Sequence, residues 1–156
     1  MQQAARAEAI VVRPLQPADV AACALLFERV QRDTFRRDDP ALYAREHFRR
    51  DTAGEEVWVA AAGRELAGVI SVWRPQPFVH HLLVERAWRR RGIGSALLRE
   101  ALAGMRRPVD LKCRLDNLTA QRFYRRLGWI EVEREQRCAT PYIRYRLLPG
   151  NDLGDR

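Results

Sequence analysis

Cysteine is scarce in this 156-residue chain, with three residues at positions 23, 113 and 138. Their odd number, wide spacing and lack of a Cys-x-x-Cys pair argue against a disulfide framework and offer no metal site, so reduced, buried thiols are expected. Long apolar runs are missing as well. The longest, around residues 21–27, falls far short of the roughly 18 residues a membrane span needs. The first ten residues lack the charged-then-apolar pattern of a secretory signal, so a cytoplasmic protein with no membrane partner is expected. Lysine is nearly absent, Lys112 being the single one, yet the formal net charge is +8 because arginine is abundant. Such a charge suits an anionic partner, whether nucleic acid, membrane or a phosphorylated cofactor. Arginine spread over helix faces reads equally well as solvated surface. No helix-turn-helix, zinc or RNP pattern is present, which argues against nucleic acid as the partner. Repeats and low-complexity segments are absent too, and a 47% hydrophobic composition at this length fits one core and one domain.

What is present alternates between two periods. Residues 9–15 read as a strand and 17–30 as a helix opened by Pro17, with Asp19 in its first turn. Residues 41–50 resume a short helix. "EVWVAAA" and "ELAGVISVW", joined by Gly63-Arg64, read as an antiparallel hairpin. Strands follow at 77–84 and 109–115, a helix at 117–128 ended by Gly128, and a closing pair in "WIEVERE" and "YIRYRLL". The alternation predicts a single mixed α/β sheet, and the tails 1–8 and 149–156 read as flexible.

The stretch "RAWRRRGIGSALLREAL" carries the strongest local signal. A strand runs into a loop and then into a helix beginning near Gly92. The first-turn N–H groups of a helix lack internal partners, and its dipole puts partial positive charge there. Gly92 and Gly94 leave the main chain open to a phosphate oxygen, Ser95 adds a hydroxyl, and Arg89, Arg90 and Arg91 supply charge. The pattern describes a site for a pyrophosphate or similar polyanion. A P-loop would need Gly-Lys-Ser/Thr, and a dinucleotide fingerprint would need glycine where Leu97 stands.

With its flanks, this stretch resembles the acyl-CoA-binding motif of the GNAT (Gcn5-related N-acetyltransferase) family, Gln/Arg-x-x-Gly-x-Gly/Ala after a Leu-x-Val strand. The matching positions are Arg89, Gly92 and Gly94, preceded by Leu82 and Val84. Downstream, "NLTAQRFYRRLGW" resembles the family's second signature through Asn117, Ala120, Phe123, Tyr124, Gly128 and Trp129. Arg86 stands where proline is common, Trp129 replaces phenylalanine, and Arg90 stands where many members have glycine, so its side chain should point outward toward the cofactor's nucleotide phosphate.

The resemblance implies a single N-acetyltransferase domain over residues 9–148. Its α/β fold would be a mixed, mostly antiparallel sheet of six to seven strands with one splayed parallel pair, flanked by about four helices. It implies acetyl-CoA as cosubstrate, held by Leu82, Leu83, Val84, Arg89, Arg90, Arg91, Gly92, Ile93, Gly94, Ser95 and Asn117. A backbone N–H of Leu83 or Val84 would stabilise the thioester oxygen. Tyr124 would act as general acid on the departing thiolate, and direct attack in a ternary complex is expected because Cys113 has no evident activating partner. A base must take the amine's proton. His80 and His81 are the candidates, sent to opposite faces by strand alternation, with His80 the first choice and a water-mediated route the alternative. The acceptor would be a small-molecule or peptide amine. Asp33, Asp38, Asp39 and Glu46 are candidates to attract it, and Thr34, Phe35 and Tyr43 to shape its pocket. A homodimer stays open, as do the rival readings of a non-catalytic acyl-CoA sensor and of a basic nucleic-acid binder.

Overall fold

Period-two segments become seven strands, and the 3.6-period segments become four helices. The computed structural model describes residues 8–153. In chain order the elements are β1 (Ile10–Pro14), α1 (Val20–Thr34), α2 (His47–Asp51), β2 (Glu56–Ala62), β3 (Glu65–Trp73), β4 (Phe78–Val84), α3 (Ile93–Leu102), β5 (Val109–Arg114), α4 (Leu118–Arg126), β6 (Ile130–Glu135) and β7 (Tyr142–Leu147). They form one sheet in the order β1-β2-β3-β4-β5-β7-β6. Every neighbouring pair is antiparallel except β4 and β5. The expected mixed sheet with one parallel pair is therefore what forms.

Alternation along the central strands gives each sheet face its own core. On one face, Cys23, Leu26, Phe27 and Val30 of α1 and Phe48 of α2 bury against Val59, Ala61 and Val69. On the other, Leu97, Leu98, Ala101 and Leu102 of α3 pack on Ala60, Ile70 and Val72, continuous with Leu111, Cys113, Tyr124, Trp129 and Tyr145. Full burial of an aliphatic or aromatic side chain contributes about 1.5–3 kcal/mol, so these two layers hold the central strands from both sides. No helix among the described residues is long and apolar enough to cross a membrane.

Three local expectations need correction. The helix expected from Pro17 starts as a 3-10 turn, Pro17–Asp19, and becomes α-helical at Val20. The Asp19 carboxylate caps that turn by accepting the Gln16 N–H (2.8 Å) and pairs with Arg13 at 2.6 Å. The helix expected over 41–50 splits into a 3-10 turn, Pro40–Tyr43, and α2. Asp39 caps the first piece through Ala41 N–H, and Ala44 at ψ 140° is extended, which stops propagation. Finally, the tail from residue 149 is not wholly loose. Leu153 is buried at 3% exposure, and Asn151 Nδ2 donates to Leu127 O and Gly128 O. Residues 1–7 and 154–156, also expected to be flexible, lie outside the described residues.

Candidate active site

β4 and β5 pair only at Phe78–Asp110 and Val79–Leu111. Beyond those two positions they diverge, while β5 stays paired with β7 along its whole length. The opening coincides with a bulge. Ser71 faces His81 and Val72 faces Val79, which leaves His80 as the extra residue on β4.

The ladder on the other side of β4 decides which backbone groups are free. Glu85 N–H donates to Ala67 O at 2.8 Å, and the register continues with Val69 opposite Leu83. Antiparallel ladders alternate bonded and non-bonded pairs, so Leu83 spends its N–H and C=O on Val69 while Leu82 and Val84 turn theirs toward the opening. The Val84 carbonyl is taken by Arg89 Nε at 3.1 Å. This corrects the role expected of the Leu83 amide, which faces β3. The free strand edge consists of the Leu82 N–H and C=O and the Val84 N–H.

The N-terminus of α3 adjoins this edge. Gly92 caps it at φ 74°, ψ 11°, a left-handed conformation that favours glycine, and no side chain caps it among the described residues. The first backbone bond there runs from Ala96 N–H to Gly92 O. The N–H groups of Ile93, Gly94 and Ser95 therefore have no intrahelical acceptor. All three arginines before the turn are exposed, but they are engaged differently. Arg89 reaches back to Val84, and Arg91 lies over the Trp88 ring at 4.9 Å. Arg90 has φ 61°, which accounts for the glycine common at this position among the proteins the motif resembles.

Opposite the opening, Asn117 caps α4 through its Oδ1, which accepts Ala120 N–H at 3.2 Å and leaves the amide nitrogen available. Gln121, which sequence reasoning passed over, is buried and donates to Arg114 O and Leu115 O, fixing the end of β5 to α4. Tyr124 is buried between Trp129 and Tyr145, with ring centroids 5.7 and 6.1 Å away. Burial raises its pKa well above that of an ordinary phenol, so the hydroxyl stays protonated at neutral pH. Burial, aided by Asp116, also pushes the Cys113 thiol up to about 11, which removes its thiolate from play.

The expected separation of the two histidines to opposite faces does not occur: Val79 and Leu82 both pack in the α3-side core, and the bulge between them leaves His80 and His81 together on the α1 side, their rings 6.5 Å apart. His81 points into the α1 side, with Nδ1 2.9 Å from Ser71 Oγ and its ring 5.4 Å from Phe27. Burial lowers its pKa to about 4, so it is neutral. His80 stands at the opening, 43% exposed, with Nδ1 against the Glu55 carboxylate and its ring 4.8 Å from Phe78. Partial burial, and then the Lys112 ammonium, lower its pKa. Nothing in the run "AGEEV" distinguishes Glu55 from its solvated neighbours, and sequence reasoning missed it.

Several acidic residues expected to attract an amine are already engaged. Arg114 on β5 pairs with Asp38 at 2.5 Å and Asp116 at 2.6 Å, contacts Tyr43 Oη at 3.1 Å and stacks over Phe35 at 4.1 Å. The Arg114 guanidinium, followed by the Tyr43 hydroxyl, holds the Asp38 carboxyl below its ordinary range. Asp33 pairs with Arg36 at 2.5 Å. These contacts clamp the α1–α2 connection onto the end of β5.

The sequence matches the model of the acetyltransferase (GNAT) family over residues 23–129. The chain belongs to the GNAT acetyltransferase family. It is 35% identical over 135 residues to an uncharacterized protein of Mycobacterium leprae (strain TN), covering 80% of this chain and 36% of that protein. The chain thus spans little more than a third of that relative. Its fold is that of solved GNAT enzymes. The PaiA N-acetyltransferase from Thermoplasma acidophilum, in complex with coenzyme A, superposes with TM-score 0.72 at 16% identity, over 89% of this chain and 99% of that one. The spermidine N-acetyltransferase from Vibrio cholerae, in complex with CoA and spermine, gives 0.65 at 15% identity, over 93% and 98%. Within this GNAT fold, the structure brings Leu82, Val84, Gly92, Gly94 and Ser95 to one edge of the opening and His80 to its floor. It turns Leu83 and His81 away.

Proposed function

We propose that the chain is an acetyl-CoA-dependent N-acetyltransferase that moves an acetyl group to a primary amine by direct attack in a ternary complex. The observation that carries this reading is the two-residue β4–β5 pairing that opens beside an uncapped α3 N-terminus. An amide-bearing arm fits the unpaired edge of β4 as an added strand would, and a pyrophosphate fits the N–H groups of Ile93, Gly94 and Ser95. Acetyl-CoA supplies both, together with an activated thioester. Residues 9–148 form the transferase domain in this reading.

Each group then has a task. Arg90 and Arg91 neutralise phosphate charge. The Leu82 and Val84 backbones hold the arm, helped by the Asn117 amide nitrogen. The Leu82 N–H, free of the sheet, donates to the thioester oxygen as negative charge develops there, a contribution of about 3 kcal/mol for a preorganised donor. Tyr124 donates its hydroxyl proton in a hydrogen bond to the departing sulfur. Complete transfer from a phenol above 10 to a thiolate near 8.5 is uphill, so stabilisation rather than full protonation is its contribution. His80 collects the amine proton, and Cys113, held as thiol, takes no covalent part.

Titration calorimetry with CoA and acetyl-CoA, followed by thiol release against a panel of polyamines, amino acids, aminoglycosides and peptides, tests the reading. Binding plus acceptor-dependent thiol release is expected. Binding with no release from any acceptor would favour a non-catalytic acyl-CoA sensor, and the lack of both would end the proposal.

A further inference from the structure

Glu55 lies in the turn between α2 and β2, where its N–H donates to Thr52 O at 3.0 Å and Thr52 Oγ1 donates to Phe48 O at 2.8 Å. The turn is thereby tied to α2, and it delivers the carboxylate under the mouth of the β4–β5 opening. The side chain is only 4% exposed, and Oε1 meets Nδ1 of His80. Oε2 is buried with no hydrogen-bond partner among the described residues. A carboxylate taken out of water destabilises a fold unless it is fully paired, so stability does not explain a half-satisfied one. Such a group makes sense where its charge serves a neighbour. An ionised carboxylate is an acceptor only, and a neutral imidazole carries its proton on one nitrogen. The contact therefore selects the Nδ1–H form and leaves the lone pair on Nε2.

We propose that Glu55 is the positioning residue for His80: it holds the imidazole as the Nδ1–H tautomer and stabilises the imidazolium formed when Nε2 takes the acceptor's proton. The inference rests on reading the opening as an acetyl-transfer site. An N–H bond of the acceptor ammonium breaks and its proton passes to Nε2; the freed lone pair of the amine forms the new C–N bond as the thioester C–S bond breaks, and the sulfur leaves as the CoA thiolate, which takes up the second proton lost from the nitrogen. The other charged groups around His80 do not substitute for Glu55. Lys112 from β5 opposes the imidazolium, and His81, 6.5 Å away ring to ring, is neutral. Asp51 of α2 acts on His81, Arg114 is held by Asp38 and Asp116, and Arg144 by Asp110.

The test is Glu55→Gln in the full chain, because an amide can donate to Nδ1 and favour the opposite tautomer. On the alkaline plateau kcat/KM should fall about 10- to 100-fold, part of what a general base supplies. The ascending limb of the pH–rate profile should move about one unit toward acid as the imidazolium loses its anion. CoA affinity should stay at the wild-type value. Glu55→Asp keeps the charge one methylene short and should retain the limb at a reduced rate. In a His80→Gln background, adding Glu55→Gln should change nothing further. Nitrogen-15 NMR of labelled histidine reads the tautomer without any substrate: Nδ1–H in the wild type, lost in Glu55→Gln, supports the pairing even where the acceptor has not been found. A wild-type limb and rate in the folded Glu55→Gln protein, or an Nε2–H tautomer in the wild type, overturns it. Loss of all thiol release with CoA binding intact and the Nδ1–H signal present counts against the transfer reading and not against the pair.

Discussion

Gly94 and Phe123 meet where α3 crosses α4: a Cβ on Gly94 would lie 3.1 Å from Phe123 Cζ. Gly92 is different, because a Cβ there would meet nothing within 4 Å and only its φ of 74° requires glycine. The two glycines of one turn are thus kept for separate physical reasons, conformation at the first and close helix packing at the second. A bound pyrophosphate would add a further reason at Gly94.

These reasons separate in the variants Gly94→Ala and Gly94→Asp. Gly94→Ala displaces Phe123 slightly and should destabilise by about 1 kcal/mol, in the range of mild overpacking. Phe123→Leu should recover part of that loss. Gly94→Asp adds negative charge at the helix N-terminus proposed to hold the phosphates and should weaken CoA binding at least tenfold, by an electrostatic route that Phe123→Leu does not relieve. Thermal unfolding and calorimetry on the single and double variants check both. Equal CoA affinity in folded Gly94→Asp would remove the α3 terminus from the binding site.

Tyr124→Phe keeps the ring between Trp129 and Tyr145 and removes only the hydroxyl. In the proposed transfer that hydroxyl hydrogen-bonds the departing sulfur in the transition state, so kcat should fall by about 10- to 1,000-fold with CoA affinity near wild type. Stopped-flow or single-turnover measurements ensure that chemistry is observed. An unchanged chemical step would leave Tyr124 as core.

Much of this architecture is legible in the sequence because it depends on local periodicity. Alternation gave β2, β3 and β7, and the Gly-Ile-Gly step marked the start of α3 to within a residue. What stayed hidden depends on long-range register. The bulge that isolates His80 arises from how β3 pairs with β4, and the choice of Leu82 over Leu83 follows from which pair of that ladder is bonded. Glu55 approaches His80 across 25 residues of chain, a distance no local pattern spans. Leu153 enters the core after a turn whose polar composition, "PGND", reads as tail.

His81 makes a stability prediction with a definite sign. Its folded pKa of about 4 lies below the unfolded value near 6.5, so the unfolded chain binds the proton more readily. Stability should therefore be complete above pH 6.5 and decline as the pH falls toward 4, by up to about 3 kcal/mol over that window at 1.36 kcal/mol per unit. His81→Gln, which can still bond Ser71 Oγ but does not titrate, should be less stable at neutral pH and should lose that part of the acid sensitivity. Urea midpoints at several pH values decide it. An identical pH slope in wild type and variant would show that other groups carry the acid response.

Arg90 offers the cleanest separation of folding from binding. A non-glycine residue at φ 61° carries about 1–2 kcal/mol of left-handed strain. Glycine removes the strain but adds about 0.5–1 kcal/mol of unfolded-state entropy. Arg90→Gly should then be as stable as wild type or up to about 1 kcal/mol more stable. Its guanidinium is exposed and screened, so losing it should weaken CoA binding only about two- to fivefold at low salt, and the difference should shrink as salt rises. Arg90→Lys keeps both the strain and the charge and should match wild type in both measurements. If Arg90→Gly binds CoA as the wild type does at low ionic strength, while Arg90→Lys confirms that the turn is intact, the phosphates are held by the α3 backbone and the neighbouring arginine, and Arg90 is surface charge.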